Sequence, residues 1–162
     1  MNLIVAIDKN NGIGKNGDLL CHLSADLKHF KEVTTGKTVV MGYNTLISLP
    51  KSAPLKNRRN VVLYEKDIEI EGAEVCHSIE ELFELIKDVP EDEVFVIGGA
   101  MVYTTLMPYC KKLYITHIDK AFDADRFLPE IKKEEWKVLD ESEVMEENSL
   151  QFKYVTYGRK DI

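Results

Sequence analysis

Val94-Phe95-Val96-Ile97-Gly98-Gly99 is the most strand-like run in the 162-residue chain, and it stops abruptly at two glycines. Ala100 to Met107 then reads as a helix closed by Pro108. A strand that passes through a glycine turn directly into a helix is the building unit of an α/β sheet. The same unit suits a diphosphate, because adjacent glycines let a ligand approach the backbone beside a helix N-terminus. A plain tight turn is the structural alternative.

Working outward, Thr38-Val39-Val40-Met41 and then Gly42-Tyr43-Asn44-Thr45 repeat the pattern, with a short helical segment ending at Pro50. Leu3 to Ile7 is a continuous apolar run, read as a strand buried on both faces. Asp8 to Leu20 is read as a mobile, lid-like loop. Its Gly12-Ile13-Gly14-Lys15-Asn16-Gly17 matches G-x-G-x-x-G in letters only, since a dinucleotide fingerprint must open a helix at once. Asn60 to Tyr64 and Ala73 to Cys76 are two more strands, and Ser78-Ile79-Glu80-Glu81 is a capping box. Lys112 to Ile118 is another strand. Trp136 to Leu139 and Leu150 to Tyr157 alternate like an antiparallel pair joined by the acidic stretch Glu141 to Asn148. About eight strands and four flanking helices, interleaved early with a hairpin late, predict a single α/β domain over residues 1–162. Its central eight-stranded sheet is mostly parallel with an antiparallel C-terminal edge.

The net charge of −7, from 21 basic and 28 acidic residues, argues against a general binder of nucleic acid or anionic membrane. Cys21, Cys76 and Cys110 are odd in number and lack a CxxC spacing, so neither a disulfide framework nor a zinc site is expected, and the default compartment is the reducing cytoplasm. His22, His29 and His117 are scattered without metal-ligand spacing and read as surface or packing residues. No long exposed apolar stripe is evident, and a monomer is expected.

Two stretches carry candidate chemistry. In Leu23-Ser24-Ala25-Asp26-Leu27-Lys28-His29-Phe30-Lys31, Ser24 is a good N-cap, and Leu27, Phe30 and Val33 form an apolar stripe. Asp26, at the second helical position, is either a solvated first-turn acid or the acid at the mouth of an apolar pocket, where burial would raise its pKa. Residues 50–60 hold Lys51, Lys56, Arg58 and Arg59, the densest basic cluster in the chain. They are either a solvated loop or a clamp for a ligand carboxylate.

Asp26 with Phe30-Lys31, Val40-Met41-Gly42 with Thr45, Ile97-Gly98-Gly99 with Tyr103, and Tyr114 to Ile118 follow one another in an order and at separations that resemble bacterial dihydrofolate reductase along essentially the whole chain. The resemblance implies reduction of 7,8-dihydrofolate to tetrahydrofolate by hydride from NADPH, in service of one-carbon metabolism and thymidylate and purine synthesis, with antifolates as inhibitors. It implies that Asp26 holds the pterin and assists protonation, that Thr116 hydrogen-bonds this acid, and that Ile4, Val5, Leu27 and Phe30 line the pocket. Leu49 and Leu55 would flank the aminobenzoyl ring, and Arg58 would grip the glutamate carboxylate. On the cofactor side it implies Ala6, Ile13, Gly14, Asn16 and Leu19 over the nicotinamide. Gly42, Tyr43, Asn44, Thr45, Leu63, Tyr64, Ile97, Gly98, Gly99, Ala100, Met101, Val102 and Tyr103 would lie along the rest, with His77 on the adenine side. A cis Gly-Gly peptide is also implied.

The chain departs from the family pattern in three places. Leu20-Cys21 stands where Pro-Trp is usual, and Ala124 precedes Asp125 where a glycine is common. Tyr43, Asn44, Tyr64 and Glu65 occupy positions that often bring basic or hydroxyl groups to the 2′-phosphate, and an acid there is unfavourable. NADPH is expected, with NADH as a weaker alternative and a smaller gap than usual. The competing readings are another reductase on the same fold, such as one acting on a pyrimidine intermediate of riboflavin synthesis, and a binding protein without turnover. Asp26 and Arg58 together favour folate.

Overall fold

The structure, a computed structural model, describes residues 1–17, 19–21 and 23–160. Asp18, His22 and the last two residues lie outside the described residues. The main sheet is built from β1 (Asn2–Ile7), β3 (Thr38–Gly42), β4 (Arg59–Leu63), β5 (Ala73–Cys76), β6 (Val94–Gly98), β7 (Lys112–Ile118), β9 (Trp136–Glu141), β10 (Met145–Glu147) and β11 (Leu150–Arg159). A separate two-stranded ladder pairs β2 (Gly12–Gly14) with β8 (Arg126–Phe127). The helices are α1 (Ser24–Thr34), α2 (Tyr43–Ser48), α3 (Ile79–Ile86) and α4 (Ala100–Leu106).

The strand order is β10-β11-β7-β1-β6-β3-β4-β5, with β9 also on β11. β7, β1, β6, β3, β4 and β5 run parallel, and β11 enters antiparallel to β7. The main sheet therefore has nine strands rather than the expected eight. It stays eight wide, because β10 pairs with Leu150 to Phe152 and β9 with Val155 to Arg159 along the same edge of β11. The extra strand lies in the acidic connection, where Met145-Glu146-Glu147 carries no apolar alternation to announce it.

The parallel strands are apolar on both faces because both faces are covered. Val40, Val61 and Val96 point to the side packed by Leu82 of α3 and Leu106 of α4, while Val39, Met41 and Val62 point to Leu46 of α2. Period-two alternation thus divides neighbouring valines between two cores. Ser78 caps α3, with Glu81 donating its amide to Ser78 Oγ at 3.1 Å, while the reciprocal half of the box shifts by one residue, the Glu81 carboxylate accepting from His77 N at 2.7 Å.

Ser24 does not cap its helix. It is the first helical residue, so Asp26 is the third, and the capping position falls to Leu23, which supplies no side-chain bond. Leu23 is only 3% exposed and packs with Ile118 and Phe152, and that burial sets where the helix begins.

The Gly12–Gly14 segment also differs from a plain loop, being tied into the β2–β8 ladder. Its anchor is Asp8, 3% exposed, whose carboxylate accepts from the amides of Asn10 (2.8 Å), Gly12 (2.7 Å) and Phe122 (2.9 Å). Asp125 adds a second tie, donating its amide to Gly14 O at 2.9 Å and accepting Asn16 N at 3.0 Å. The acid after Ala124 therefore tethers the loop. Asp8→Ala leaves three amides without their acceptor, at roughly 1–3 kcal/mol each before water re-enters. The expected loss is about 3 kcal/mol of stability, read as a lower urea midpoint with the slope unchanged.

Candidate active site

The two glycine turns and Thr116 lie toward the C-terminal ends of the parallel strands β3, β6 and β7, whereas Arg58 precedes β4 at the opposite end, beside Thr34 at the end of α1. On β7, Thr116 is 3% exposed and lies in register with Ala6 of β1. Its hydroxyl donates to Asp26 Oδ1 at 2.7 Å, which joins α1 to the sheet across 90 residues of chain. Asp26 is half-buried, and burial pushes its carboxyl above the ordinary value. The Thr116 hydrogen bond and the proximity of His29 oppose that rise, and Glu147 adds to it. The solvated-acid reading of Asp26 is thereby set aside.

Around Asp26 the apolar stripe of α1 is not packed into a core. Leu27 is 49% exposed and Phe30 half-buried, and Thr34 is the buried residue of the helix. Leu49 and Leu55 are half-buried against the Val39–Met41–Val62 cluster, while Ile4 is buried and Val5 half-buried on β1. Cys21 is half-buried, packs against the Leu23 cluster as a small apolar group, and has its thiol pushed up by burial and by Asp26.

The two basic residues Arg58 and Arg59 part company. Arg59 makes a paired contact with Glu74 (Nε at 2.5 Å, Nη2 at 2.9 Å) and also reaches Leu85 O. Arg58 donates Nε to Lys56 O at 2.8 Å and Nη1 to Thr34 Oγ1 at 3.1 Å. Among the described residues no carboxylate forms an ion pair with it. An oriented guanidinium with donors to spare is what a carboxylate clamp requires.

The two glycine turns prove to be one place. Met41 pairs with Gly98, and a Cβ on Gly98 would lie 2.9 Å from Thr45 Oγ1, while one on Gly42 would lie 3.0 Å from Val102 Cγ2. Gly98 has φ +140°, and the Gly98–Gly99 peptide is cis, as the resemblance implied. Ile97 and Ala100 flank this turn, half-buried, whereas Met101 is 82% exposed on the outer side of α4. Tyr103 is buried and donates its hydroxyl to Ile4 O at 2.9 Å, fixing α4 to β1. Leu63 is in register with Gly42, and one residue on, Tyr43 and Tyr64 stack at 4.2 Å and 11°. His77 joins them, its Nδ1 against Tyr64 O at 2.9 Å and its ring 4.0 Å from Asp67. Asn44 is exposed at the first turn of α2. Gly14 is buried and Ile13 half-buried in the β2 ladder, with Asn16 and Leu19 exposed on the loop beyond, and Ala6 is half-buried on β1.

Sequence reasoning missed two groups at the site. Tyr154 of β11 stacks on His29 at 3.9 Å and 20°, and its hydroxyl donates to Ala25 O at 3.3 Å. Glu147 of β10 accepts from the start of α1. These partners are more than 120 residues apart in the chain, and no local pattern announces such a contact.

The protein-family model for dihydrofolate reductase matches residues 1–159. The chain is 37% identical to dihydrofolate reductase of Bacillus subtilis (strain 168), over 99% of this chain and 95% of that protein. It is 38% identical to that of Haemophilus influenzae, over 98% of each. A solved structure of dihydrofolate reductase from Enterococcus faecalis, complexed with NADP(H) and RAB-propyl, superimposes with a TM-score of 0.85 at 38% identity, covering 99% of this chain and 96% of that one. Matched from end to end in sequence and in backbone, the chain belongs to the dihydrofolate reductase family.

Proposed function

We propose that the protein reduces 7,8-dihydrofolate to 5,6,7,8-tetrahydrofolate with NADPH. The observation that carries this reading is the Asp26–Thr116 pair, a half-buried acid held at 2.7 Å on the sheet edge of a full-length family member. Asp26 binds the pterin amino group and ring nitrogen, and burial, by raising its pKa, favours the protonated carboxyl that can deliver a proton toward the ring nitrogen beside the carbon to be reduced. Thr116 fixes which way the carboxyl points. Leu27, Phe30, Leu49 and Leu55 exclude water from the flat substrate, and Arg58 holds its terminal carboxylate.

The residues present also fit a dinucleotide. The Gly42 and Gly98–Gly99 backbones come together where a Cβ would crowd Val102 or Thr45, so two glycine turns converge at one place suited to a pyrophosphate. When bound there, NADPH supplies the hydride. Ala6, Ile13, Gly14, Asn16 and Leu19 cover the nicotinamide, and Tyr43, Asn44, Tyr64 and His77 take the adenosine end. We further infer a cytoplasmic monomer whose cleft also takes antifolates; among the described residues no helix is long and apolar enough to cross a membrane.

The test mixes purified protein with dihydrofolate and either NADPH or NADH, and follows loss of reduced-cofactor absorbance. Rapid, dihydrofolate-dependent loss with NADPH is expected, and none, with both ligands bound, overturns the reading in favour of a binding protein. The cofactor ratio is a second prediction. A stacked tyrosine pair, with Glu65, Lys66 and Asp67 exposed on the turn beyond it, replaces a dedicated cationic cradle. Each charge-assisted contact is worth about 1.5–3 kcal/mol, roughly 10- to 100-fold, so the NADPH preference in kcat/KM is expected to fall below about 100. A ratio of about 1000 or more overturns it.

A further inference from the structure

The C-terminal hairpin reaches back to the helix that carries the acid. β10 turns into β11 through Asn148 and Ser149, both at positive φ (52° and 65°), which returns Glu147 beside Leu150. From there Glu147 Oε2 accepts from the Ser24 amide at 2.7 Å and the Ser24 hydroxyl at 2.8 Å, and Oε1 accepts from the Ala25 amide at 2.9 Å. Ser24 and Ala25 are the first two residues of α1, whose opening N–H groups have no partner within the helix, and Leu23 offers no side-chain cap. The carboxylate supplies from outside the cap that the helix does not carry itself.

The same hairpin grips α1 a second time through Tyr154, which stacks on His29 and donates to Ala25 O. Tyr154 is also the cross-strand partner of Thr116, the residue that donates to Asp26. Asp26 thus hangs between two fixed points. Its side chain is tied to β7, and its helix is tied to the hairpin paired with β7.

We propose that Glu147 is a positioning residue for the reduction, capping α1 from the hairpin so that Asp26 is held in register with Thr116. The proposal rests on the reductase reading of the Asp26 site. Three hydrogen bonds hold the Glu147 carboxyl below its usual range, so it stays charged through neutral pH. The titratable groups facing Asp26 are His29 on its own helix, Cys21 before it, Tyr103 from α4, Tyr154 from β11 and Glu147 from β10. Among these Glu147 acts to raise the Asp26 pKa. Removing its charge therefore lowers that pKa, and a rate that depends on protonated Asp26 begins to fall at a lower pH.

The experiment compares the whole protein with Glu147→Gln, Glu147→Ala, Ser24→Ala and the Ser24→Ala/Glu147→Ala double variant. It records kcat against pH, KM for dihydrofolate, the melting temperature, and the Asp26 carboxyl titration by carbon NMR. Gln keeps the length but presents one acceptor and one donor, so one amide loses its partner and the charge is gone. Both Glu147 variants are expected to titrate Asp26 at lower pH and to shift the pH profile the same way. Glu147→Ala should also lose about 5- to 20-fold in kcat through misplacement of the acid. Ser24→Ala should reduce kcat in the wild-type background and not in the Glu147→Ala background, the non-additivity of groups acting through one contact. Wild-type kcat and an unmoved Asp26 titration in folded Glu147 variants overturn the proposal, even where the melting temperature drops, since a purely structural cap would do only that. If the wild-type protein does not reduce dihydrofolate, the reductase reading has failed, and the NMR titration still decides whether Glu147 governs Asp26.

Discussion

Asp26→Asn is expected to lower kcat for dihydrofolate by about 100- to 10,000-fold, the range set by loss of a positioned acid–base group. The fold should be intact, and the variant should melt no lower than the wild type at neutral pH. Asn keeps the shape and can still accept from Thr116 Oγ1, so the α1–β7 contact at 2.7 Å survives in outline. What is lost is the titratable proton. The stability sign follows from the direction of the shift. Burial holds the Asp26 pKa above its unfolded value, so the protonated form is favoured in the folded state. The stability it contributes is fully present below the unfolded pKa and is lost as pH rises through the folded one. The variant has no such loss, and the difference in melting temperature, variant minus wild type, should grow with pH across that window. Steady-state turnover and thermal melts on the same samples read both effects. Neutral-pH turnover within twofold of the wild type would remove Asp26 from the mechanism.

The ambiguity of Asp26 in the sequence had a physical origin. Within its own helix a first-turn acid is favoured by the dipole whether or not it does chemistry, and the contact that separates the two cases comes from Thr116, 90 residues away. The parallel strands were legible because burial on both faces leaves continuous apolar runs, as in Val39 to Met41 and Val94 to Ile97. β2, β8 and β10 were not, since Gly-Ile-Gly, Arg-Phe and Met-Glu-Glu owe their extension to partners and carry no period of their own. The start of α1 was misjudged for a related reason. Ser24 has the chemistry of a cap, but Leu23 is pulled into the core and the capping oxygens arrive from Glu147. Tyr43 and Tyr64 could be assigned to the same sheet edge from the strand pattern and the resemblance. Their stacking depends on the register of β3 against β4, which spacing alone does not specify.

Arg58→Gln is expected to raise KM for dihydrofolate by about 10- to 100-fold while leaving kcat within about twofold, because a charge-assisted clamp contributes roughly 1.5–3 kcal/mol. On the proposed reading this contact would be remote from the reacting carbon and made equally in ground and transition states, so its loss would appear as uniform binding. Composition cannot separate Arg58 from Arg59, but their partners can. Arg59 is committed to Glu74 and Leu85 O, whereas Arg58 is oriented by Lys56 O and Thr34 Oγ1. Arg59→Gln should accordingly leave KM near wild type. Arg58→Lys should recover only part of the loss, since a point charge replaces a planar fork. The decisive comparison uses a dihydropterin substrate without the glutamate tail, on which wild type and Arg58→Gln should perform alike. An equal loss on the truncated substrate would mean that Arg58 acts by bracing Thr34 and the end of α1, and the clamp would have to be sought elsewhere on the basic loop.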